Sequence, residues 1–530
     1  MSRQARSGER VRIVSGAAPI HESQRDVVAF LSTEAPYPPG AGFVRRIDTH
    51  GAHVFLGATD VFKIKRAVTY PYMDFSTLDK RRAACTREAD LNAGNAPTIY
   101  RGLVAITREA DGRLAIGGTG APVEWAVRMV RFPEEDVLTN RVERQALDMV
   151  EAKALADAVV AAHARAGIVA EPPERSSMAS IASGVLSALA GLFGAHDGDV
   201  RRLSALLPQR IEALRPHLAR RTQDGHVRRC HGDLHLGNIV LIDTQPTLFD
   251  AIEFDEALAT IDVLYDLAFL LMDLDHRGHR ASANRVFNRY LWRRQEDADL
   301  EALAALPVYL ALRAAIRAMV GAERAEFSGE GQAAAHAYLS RATRYLDDDR
   351  PRLVITAGLS GSGKSTLAAG LAPALGRAPG ALHVRSDLER KALFQAGEFD
   401  RLPETAYCAD VTSRVYDRLL KKSEAALRAG HSVIADAVFA EPRERAEIVE
   451  VARRTGAQLT AFWLDAPPDV LLQRVSARKN DASDATPQVV QRQMSYDLGV
   501  LEWTRLDASG TPEETLCTAM SYLHASIDPR

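Results

Sequence analysis

The sequence predicts two domains of different class: an α+β domain over residues 25–346 and a doubly wound α/β domain with a parallel sheet over residues 352–530. Three observations predict this. In YLDDDRPRLVITAG a helical stretch ends near Leu346, Asp347-Asp348-Asp349 and Pro351 follow, and a β-rich run opens at Leu353. Charge and proline between two periodic segments mark a linker, here residues 347–351. Before the linker, β-prone runs come first and helical spacing follows. After it, strand and helix patterns alternate, as in a parallel sheet covered by helices on both faces.

The elements follow in order. HVFLGATDVFKIK, His53 to Lys65, sets two β-prone runs around Gly57 and reads as a hairpin, and VEWAVRMVRF, Val123 to Phe132, is a further strand. From about Leu147 apolar residues recur three and four apart, the helical period. NIVLID and TLFDAIEF, between Asn238 and Phe254, return briefly to strands, and helices then run to Leu346. The most apolar window, Ala179 to Ala195, is short for a membrane span and diluted by Ser and Gly, so a packed helix is expected. In the second domain the strands are LVITAG, LHVRSD, SVIADAVF and LTAFWLDA.

Composition narrows the class. The chain has 530 residues, 46% apolar and 25% charged, which is ordinary for a soluble globular protein. Its net charge of −3 gives no basic footprint for a nucleic-acid partner. Arg3, Arg6, Arg10 and Arg12 sit in a stretch, residues 1–24, expected to be a disordered arm. Cys85, Cys230, Cys408 and Cys517 have no CxxC spacing, which argues against a disulfide framework or a zinc site and fits a reducing cytoplasm. The N-terminus has no apolar core of the signal-peptide kind, so neither secretion nor a membrane is expected.

Within CHGDLHLGNIV, Asp233 leads Asn238 by five residues on a short loop before a strand. Phosphoryl transfer is mostly positioning and charge neutralisation. It needs a carboxylate beside the acceptor hydroxyl, and an amide oxygen with a second carboxylate to hold Mg²⁺ on the phosphates. Asp233 and Asn238 suit the first two tasks, and Asp250, after the next strand, suits the third. HGDLHLGN, with YDLAFLL from Tyr265 to Leu271, resembles the aminoglycoside phosphotransferase and choline kinase superfamily. The resemblance implies a bilobal protein-kinase-like fold, Asp233 as catalytic base, Asn238 and Asp250 as magnesium ligands, and Asp266 as a structural brace. It also implies a lysine that holds the nucleotide phosphates. DVFKIK offers Lys63 or Lys65, with Glu88 in TREADLNA as the ion-pair partner on the following helix. Both lysines share one strand face, so spacing does not choose between them; Lys63 is the preferred of the two. One feature departs from the protein-kinase pattern: no GxGxxG precedes the lysine, only THGAHVFLG, Thr49 to Gly57.

The second domain opens on a phosphate-binding loop. Gly358-Leu-Ser360-Gly361-Ser362-Gly363-Lys364-Ser365 matches GxxxxGK[ST] after a predicted strand and at the start of a helix that begins with Thr366, the context this Walker A motif requires. Backbone N–H groups at the helix start favour phosphate oxygens. Lys364 would reach the β- and γ-phosphates, and Ser365 the magnesium. VRSDLERK puts Asp387 at a strand end with Arg390 a turn later; SVIADAVF puts Asp436 at another strand end; LLQRVSARK places Arg474 and Arg478 four apart on a helix. The set resembles gluconate kinase, adenylate kinase and zeta-toxin type phosphotransferases. That likeness implies that Asp387 binds or deprotonates the acceptor hydroxyl, that Asp436 organises the metal's water shell, and that Arg474 and Arg478 neutralise the transferring phosphoryl. Arg390, Arg443 and Arg445 are weaker candidates for holding substrate or phosphate.

From about residue 25 to 525 the chain resembles bacterial fusions of an aminoglycoside-phosphotransferase-like domain with a P-loop kinase domain. The resemblance implies ATP or GTP with Mg²⁺, and two transfers to hydroxyls of small molecules, as consecutive phosphorylations of one metabolite or through an intermediate passed between sites. Between His276 and Leu346 the chain has eleven Arg against seven Asp and Glu, and Tyr309, Arg313 and Arg317 fall on one helical face. An anionic or sugar-like acceptor is therefore expected rather than a polycation, which would want an acidic pocket. Two other readings stay open: a non-catalytic first domain that senses a metabolite and regulates the second, and a P-loop ATPase switch that transfers nothing. Asp387 and the arginine pair speak against the latter, because a hydrolase needs only a positioned water.

Overall fold

Alternation along the strand Asp60–Lys65 organises the first part of the chain. In the computed structural model, which describes residues 23–37, 44–49, 51–70, 73–478 and 481–525, Val61 packs with Cys85, Ala89, Val127 and Met129. Phe62 and Ile64 turn to the opposite face, against Phe55, Ile106 and Ala126. Lys63 and Lys65 share Val61's parity and so point toward the helix Leu78–Ala93, which carries Glu88. The arm expected over residues 1–24 lies, as far as residue 22, outside the described residues.

The sheet has six antiparallel strands, in the order Arg45–Asp48, Ala52–Leu56, Asp60–Lys65, Ala121–Val130, Tyr100–Arg108, Leu114–Ile116. The hairpin expected between His53 and Lys65 pairs as Ala52↔Lys65 through Leu56↔Val61. Further along, Val227–Arg229 pairs with Thr260–Asp262, and Ile239–Ile242 with Gln245–Leu248. The second hairpin turns at Asp243 and Thr244, whose φ of 48° and 67° are the positive pair that a tight hairpin turn demands. The strand expected through TLFDAIEF stops at Leu248, and Asp250 leaves extended geometry with φ 61°. These elements belong to one compact unit, residues 1–144, 165–195 and 227–262.

The second compact unit takes residues 145–164, 196–226 and 263–530. Its helix Val263–His276 is buried from Val263 to Asp275, which is why YDLAFLL is apolar apart from Asp266 and the Tyr265 hydroxyl. Its five-stranded sheet is parallel throughout, in the order Leu382–Arg385, Val433–Asp436, Arg352–Ala357, Gln458–Asp465, Thr504–Asp507. All four strands expected in the second domain form. The first strand in sequence is central, so chain order reverses beside it. That places a crevice at the carboxyl ends of the strands, where ligands bind in such sheets. Val354, Leu367, Leu371, Ile434, Phe462 and Leu506 fill one face.

The linker sits between the helix Gln332–Tyr345 and the strand Arg352–Ala357. The compact units, however, do not divide there: helices ahead of the linker fold with the parallel sheet. The helix Arg280–Arg294 makes that connection. Arg280 donates to Pro373 O at 2.7 Å and Gly376 O at 2.6 Å, and Asn284 Nδ2 donates to Ala381 O at 3.0 Å. Among the described residues no single helix is long and apolar enough to cross a membrane; the apolar window folds as the helix Met178–Phe193.

Candidate active sites

The first site is built entirely within the first unit. Lys63 Nζ donates to Glu88 Oε1 at 2.8 Å and to Asp250 Oδ1 at 2.6 Å. Lys65 Nζ donates to Glu88 Oε2 at 2.6 Å and also pairs with Glu253. Glu88 thus divides its two oxygens between two lysines. Burial works against its charged form, but the two ammonium groups outweigh that and draw the carboxyl down to about 2. Burial likewise opposes a charged Lys63, yet Asp250 and Glu88 raise its pKa well above the ordinary range. Glu253 goes the other way: burial raises it. The lysines differ in reach. Lys65 is enclosed by Glu88, Glu253 and the Phe75 ring, whereas Lys63 extends to Asp250, whose side chain is 41% exposed.

The loop ahead of Ile239 is held by its own amides. Asn238 Nδ2 donates to Asp233 O at 2.9 Å and Asp233 Oδ2 at 3.0 Å, and His235 Nε2 lies 3.4 Å from the same carboxylate oxygen. His231 Nε2 donates to Phe249 O at 2.9 Å, and Phe249 N donates to Asn238 O at 3.0 Å. Loop and hairpin are therefore clamped together. Gly232 has φ 84°, and a Cβ there would stand 3.0 Å from Ile252 Cδ1 and 3.3 Å from the Ala259 backbone, so glycine is required. Asp250 holds its left-handed conformation with its N–H on Tyr100 OH at 3.2 Å. The donor set suits a hard cation: a carboxylate on Asp250 and the Asn238 amide oxygen, whose nitrogen is already engaged.

The second site lies in the crevice of the parallel sheet. A cavity of about 350 Å³ is lined by Ser360 through Leu367, Asp387, Asp436, Arg474 and Arg478. Gly361 has φ 91°, and a Cβ would come within 2.7 Å of Leu471 O, so the loop closes only with glycine. The helix Lys364–Leu371 starts directly after Gly363. Lys364 Nζ donates to Leu359 O at 2.9 Å, and burial lowers its pKa. A half-buried ammonium whose recorded hydrogen bond is to one carbonyl, beside the first N–H groups of a helix, fits an anionic phosphate. Asp436 accepts from His383 Nε2 at 3.1 Å and lies 3.7 Å from Arg385 Nε. Burial resists its ionisation, but the His383 hydrogen bond and the Arg385 and Lys364 charges bring it to about 2. Burial lowers the His383 pKa, and Nε2, facing a carboxylate oxygen at 3.1 Å, carries the proton and donates.

Several expected residues sit elsewhere. The helix Pro468–Ala477 ends before Arg478, so Arg474 and Arg478 do not share a helix face. Arg474 braces the cavity rim through Ala508 O at 2.7 Å and Gly510 O at 2.8 Å. Tyr309 is fully buried. Arg313, 4% exposed, stacks its guanidinium 3.8 Å from the Tyr265 ring centre and donates to Tyr265 O, so both residues brace helix packing instead of offering an acceptor surface. Arg317 is half-buried, over the Tyr338 ring. Arg390 is buried and donates to Ala406 O at 2.6 Å, and Arg445 donates to the carbonyls of Phe439 and Ala440 and lies against Leu498 O. Arg443 is exposed and paired with Glu447 one helical turn on. A guanidinium that satisfies main-chain carbonyls has the same sequence signature as one that awaits an anion.

Four contributors were not anticipated: Glu253, Tyr100, His383 and Gln493. Gln493 Oε1 accepts from Ser360 N at 2.8 Å and so holds the phosphate loop. Of the four, Glu253 and His383 carried a signal. Glu253 lies three residues past Asp250, and His383 is two before Arg385 on a strand that ends at the crevice.

The profile of the phosphotransferase enzyme family matches residues 117–306, and that of the AAA domain matches residues 353–497. Fold and matches together define a chain in which a phosphotransferase-family region is followed by a P-loop domain of the AAA type. Uncharacterized protein Rv2004c of Mycobacterium tuberculosis is 30% identical over 501 residues, 92% of this chain and 96% of the relative. Uncharacterized protein Mb2027c of Mycobacterium bovis gives the same figures. The chain belongs to the family of these mycobacterial proteins. Among solved structures, a choline/ethanolamine kinase family protein from Mesorhizobium loti aligns with 61% of this chain and 95% of its own, at 15% identity and a TM-score of 0.38. A sugar kinase from Janibacter sp. aligns with 33% of this chain and 95% of its own, at 23% identity and a TM-score of 0.26.

Proposed function

We propose that the chain is a bifunctional phosphotransferase with two separate sites, each moving a phosphoryl group from ATP·Mg²⁺, or GTP·Mg²⁺, to a hydroxyl of a small molecule. One observation carries this reading: each compact unit holds a full complement of phosphate, metal and base candidates of its own. In the first, Lys63 holds the phosphates, Asn238 and Asp250 hold Mg²⁺, and Asp233 accepts the hydroxyl proton. In the second, Lys364 and the loop N–H groups hold the phosphates, Ser365 and Asp436 serve the metal, and Asp387 takes the acceptor proton. With Arg313 and Tyr309 committed to helix packing, the acceptor is specified here only as a hydroxyl-bearing small molecule. This reading is compatible with a cytoplasmic setting and takes in both consecutive phosphorylation of one metabolite and independent transfers at the two sites.

Two nucleotides per chain are therefore expected. Calorimetry with a non-hydrolysable ATP analogue should give two sites, and Lys364→Ala should remove one. A single site in the wild type would leave one half as a degenerate fold and sink the bifunctional reading.

The two lysines of the first site separate by their substitution phenotypes. Lys65→Met leaves Glu88 and Glu253 buried beside each other, so stability should fall by about 3–5 kcal/mol, the usual cost of breaking a buried pair from one side. Lys63→Met leaves Glu88 paired with Lys65 and should act mainly on turnover. Chemical denaturation and steady-state rates on both variants distinguish the roles. The reverse pattern would make Lys65 the phosphate lysine.

A further inference from the structure

The strand Leu382–Arg385 is an edge of the parallel sheet, so its outer main-chain groups have no neighbouring strand to pair with. Two asparagines of the helix Arg280–Arg294 occupy that edge. Asn288 Oδ1 accepts from His383 N at 2.7 Å, and Asn288 Nδ2 donates to Ala381 O at 3.2 Å. One side-chain amide thus stands where a neighbouring strand's peptide would. Asn284 Nδ2 also donates to Ala381 O but does not reach His383. On the inner side, Leu382 N donates to Ser432 O at 2.9 Å, so the strand is held from both sides. His383 then sends its imidazole to Asp436.

We propose that Asn288 and His383 are positioning residues for the P-loop site, through which a helix from the phosphotransferase-family region sets the Asp436 carboxylate. The inference rests on the proposed role of Asp436 at the metal. The helix lies within residues 117–306, the phosphotransferase-family match, while Asp436 lies within 353–497. The chain of contacts runs from the Asn288 amide to the His383 backbone, and from the His383 side chain to Asp436. His383 Nε2–H donates to Asp436 Oδ2 at 3.1 Å, which fixes the carboxylate's orientation beside the cavity that Asp436 lines. Arg289, the next residue on the helix, is anchored by Asp157 at 2.7 Å and Glu398 at 2.9 Å, which holds the helix against rotation. The second unit therefore acts as one body in which the P-loop carboxylate depends on residues far ahead of the linker.

The test uses the full chain carrying Asp250→Asn, which weakens the first metal site. Mn²⁺ is the probe: its affinity in the presence of ADP is read by electron paramagnetic resonance, alongside kcat for ATP consumption and the KM for ATP. Asp436→Asn is the reference. His383→Leu should weaken Mn²⁺ binding roughly 10–100-fold, the usual range for residues that orient a metal ligand, and lower kcat with little change in KM. His383→Gln, whose amide can still donate to Asp436, should restore most of the loss; recovery also shows that the fold is intact. Asn288→Ala should move both readouts in the same direction as His383→Leu, and Asn284→Ala, which takes one acceptor from Asn288 Nδ2 at 3.1 Å but leaves Asn288 Oδ1 on His383 N, should move both much less. If Asn284→Ala weakens Mn²⁺ as much as Asn288→Ala does, edge packing in general is at work and the positioning chain is refuted. If His383→Leu keeps wild-type Mn²⁺ affinity while Asp436→Asn loses it, the role of Asp436 stands and the inference falls. If Asp436→Asn itself keeps its affinity, the proposed metal role of Asp436 falls and takes the inference with it.

Discussion

Asp233→Asn is expected to slow transfer at the first site by roughly 10²–10⁴-fold, the usual contribution of a general base. The substitution keeps the side-chain size. Asn238 Nδ2 now donates to Asp233 O at 2.9 Å and to Oδ2 at 3.0 Å; an asparagine at 233 can present its amide oxygen to the same donor. The loop should therefore stay folded, and the loss should fall on chemistry. Nucleotide affinity should hold, because Lys63, Asn238 and Asp250 are untouched, so the change should appear in kcat more than in the KM for ATP. Asp250→Asn should behave otherwise. It removes the proposed metal carboxylate and the partner of Lys63 at 2.6 Å, so nucleotide affinity and rate should drop together. Rapid-quench and binding measurements on both variants check the contrast. Equal loss of nucleotide affinity in the two would mean that Asp233 is not the base.

Some of this was legible because the motifs are local. Asp233 and Asn238 are five residues apart, and the P-loop is one continuous stretch, so spacing alone shows which side chains come together. Period-two and period-3.6 patterns likewise placed the hairpin His53 to Lys65 and the strands of the parallel sheet. What distinguishes Lys63 from Lys65 was not legible, because it includes a contact of Lys63 with Asp250, 187 residues further on.

The arginines mark another limit. Helical spacing correctly puts Tyr309, Arg313 and Arg317 on one face of a helix, but it says nothing about what that face meets. It meets Tyr265 and Phe269 of a buried helix, and a guanidinium lies flat on such rings at low cost. Arg445 repeats the lesson with main-chain carbonyls as partners. At residues 347–351 the change from helical to strand pattern was legible. That the compact units divide elsewhere was not, because it depends on side chains such as Asn284 and Asn288 meeting a strand about a hundred residues away, at 3.0 Å and 2.7 Å.

Lys364→Ala should remove the second activity and, by its effect on products, order the two transfers. Lys364 has Leu359 O as its recorded hydrogen-bond partner at 2.9 Å, and it lines the cavity shared with Asp387 and Asp436. Its loss costs no buried ion pair, so the melting temperature should change little. Catalysis should suffer much more. The ammonium would neutralise charge that grows on the phosphate oxygens in the transition state, and loss of one such group costs roughly 10²–10³-fold in kcat. Asp387→Asn should match that loss in rate while keeping nucleotide affinity, because the proposed role of Asp387 is to take the acceptor's proton and not to hold the nucleotide. If the two sites work independently, Lys364→Ala should abolish one product and leave the other at its wild-type rate. If they act in sequence on one metabolite with the first site leading, Lys364→Ala should accumulate a singly phosphorylated compound, and Asp233→Asn should make nothing from the starting compound. With the P-loop site leading, the two outcomes exchange. Mass spectrometry of the mixtures separates these cases. Full turnover of both products in Lys364→Ala would reduce the P-loop to a binding element and remove the second catalytic site from the proposal.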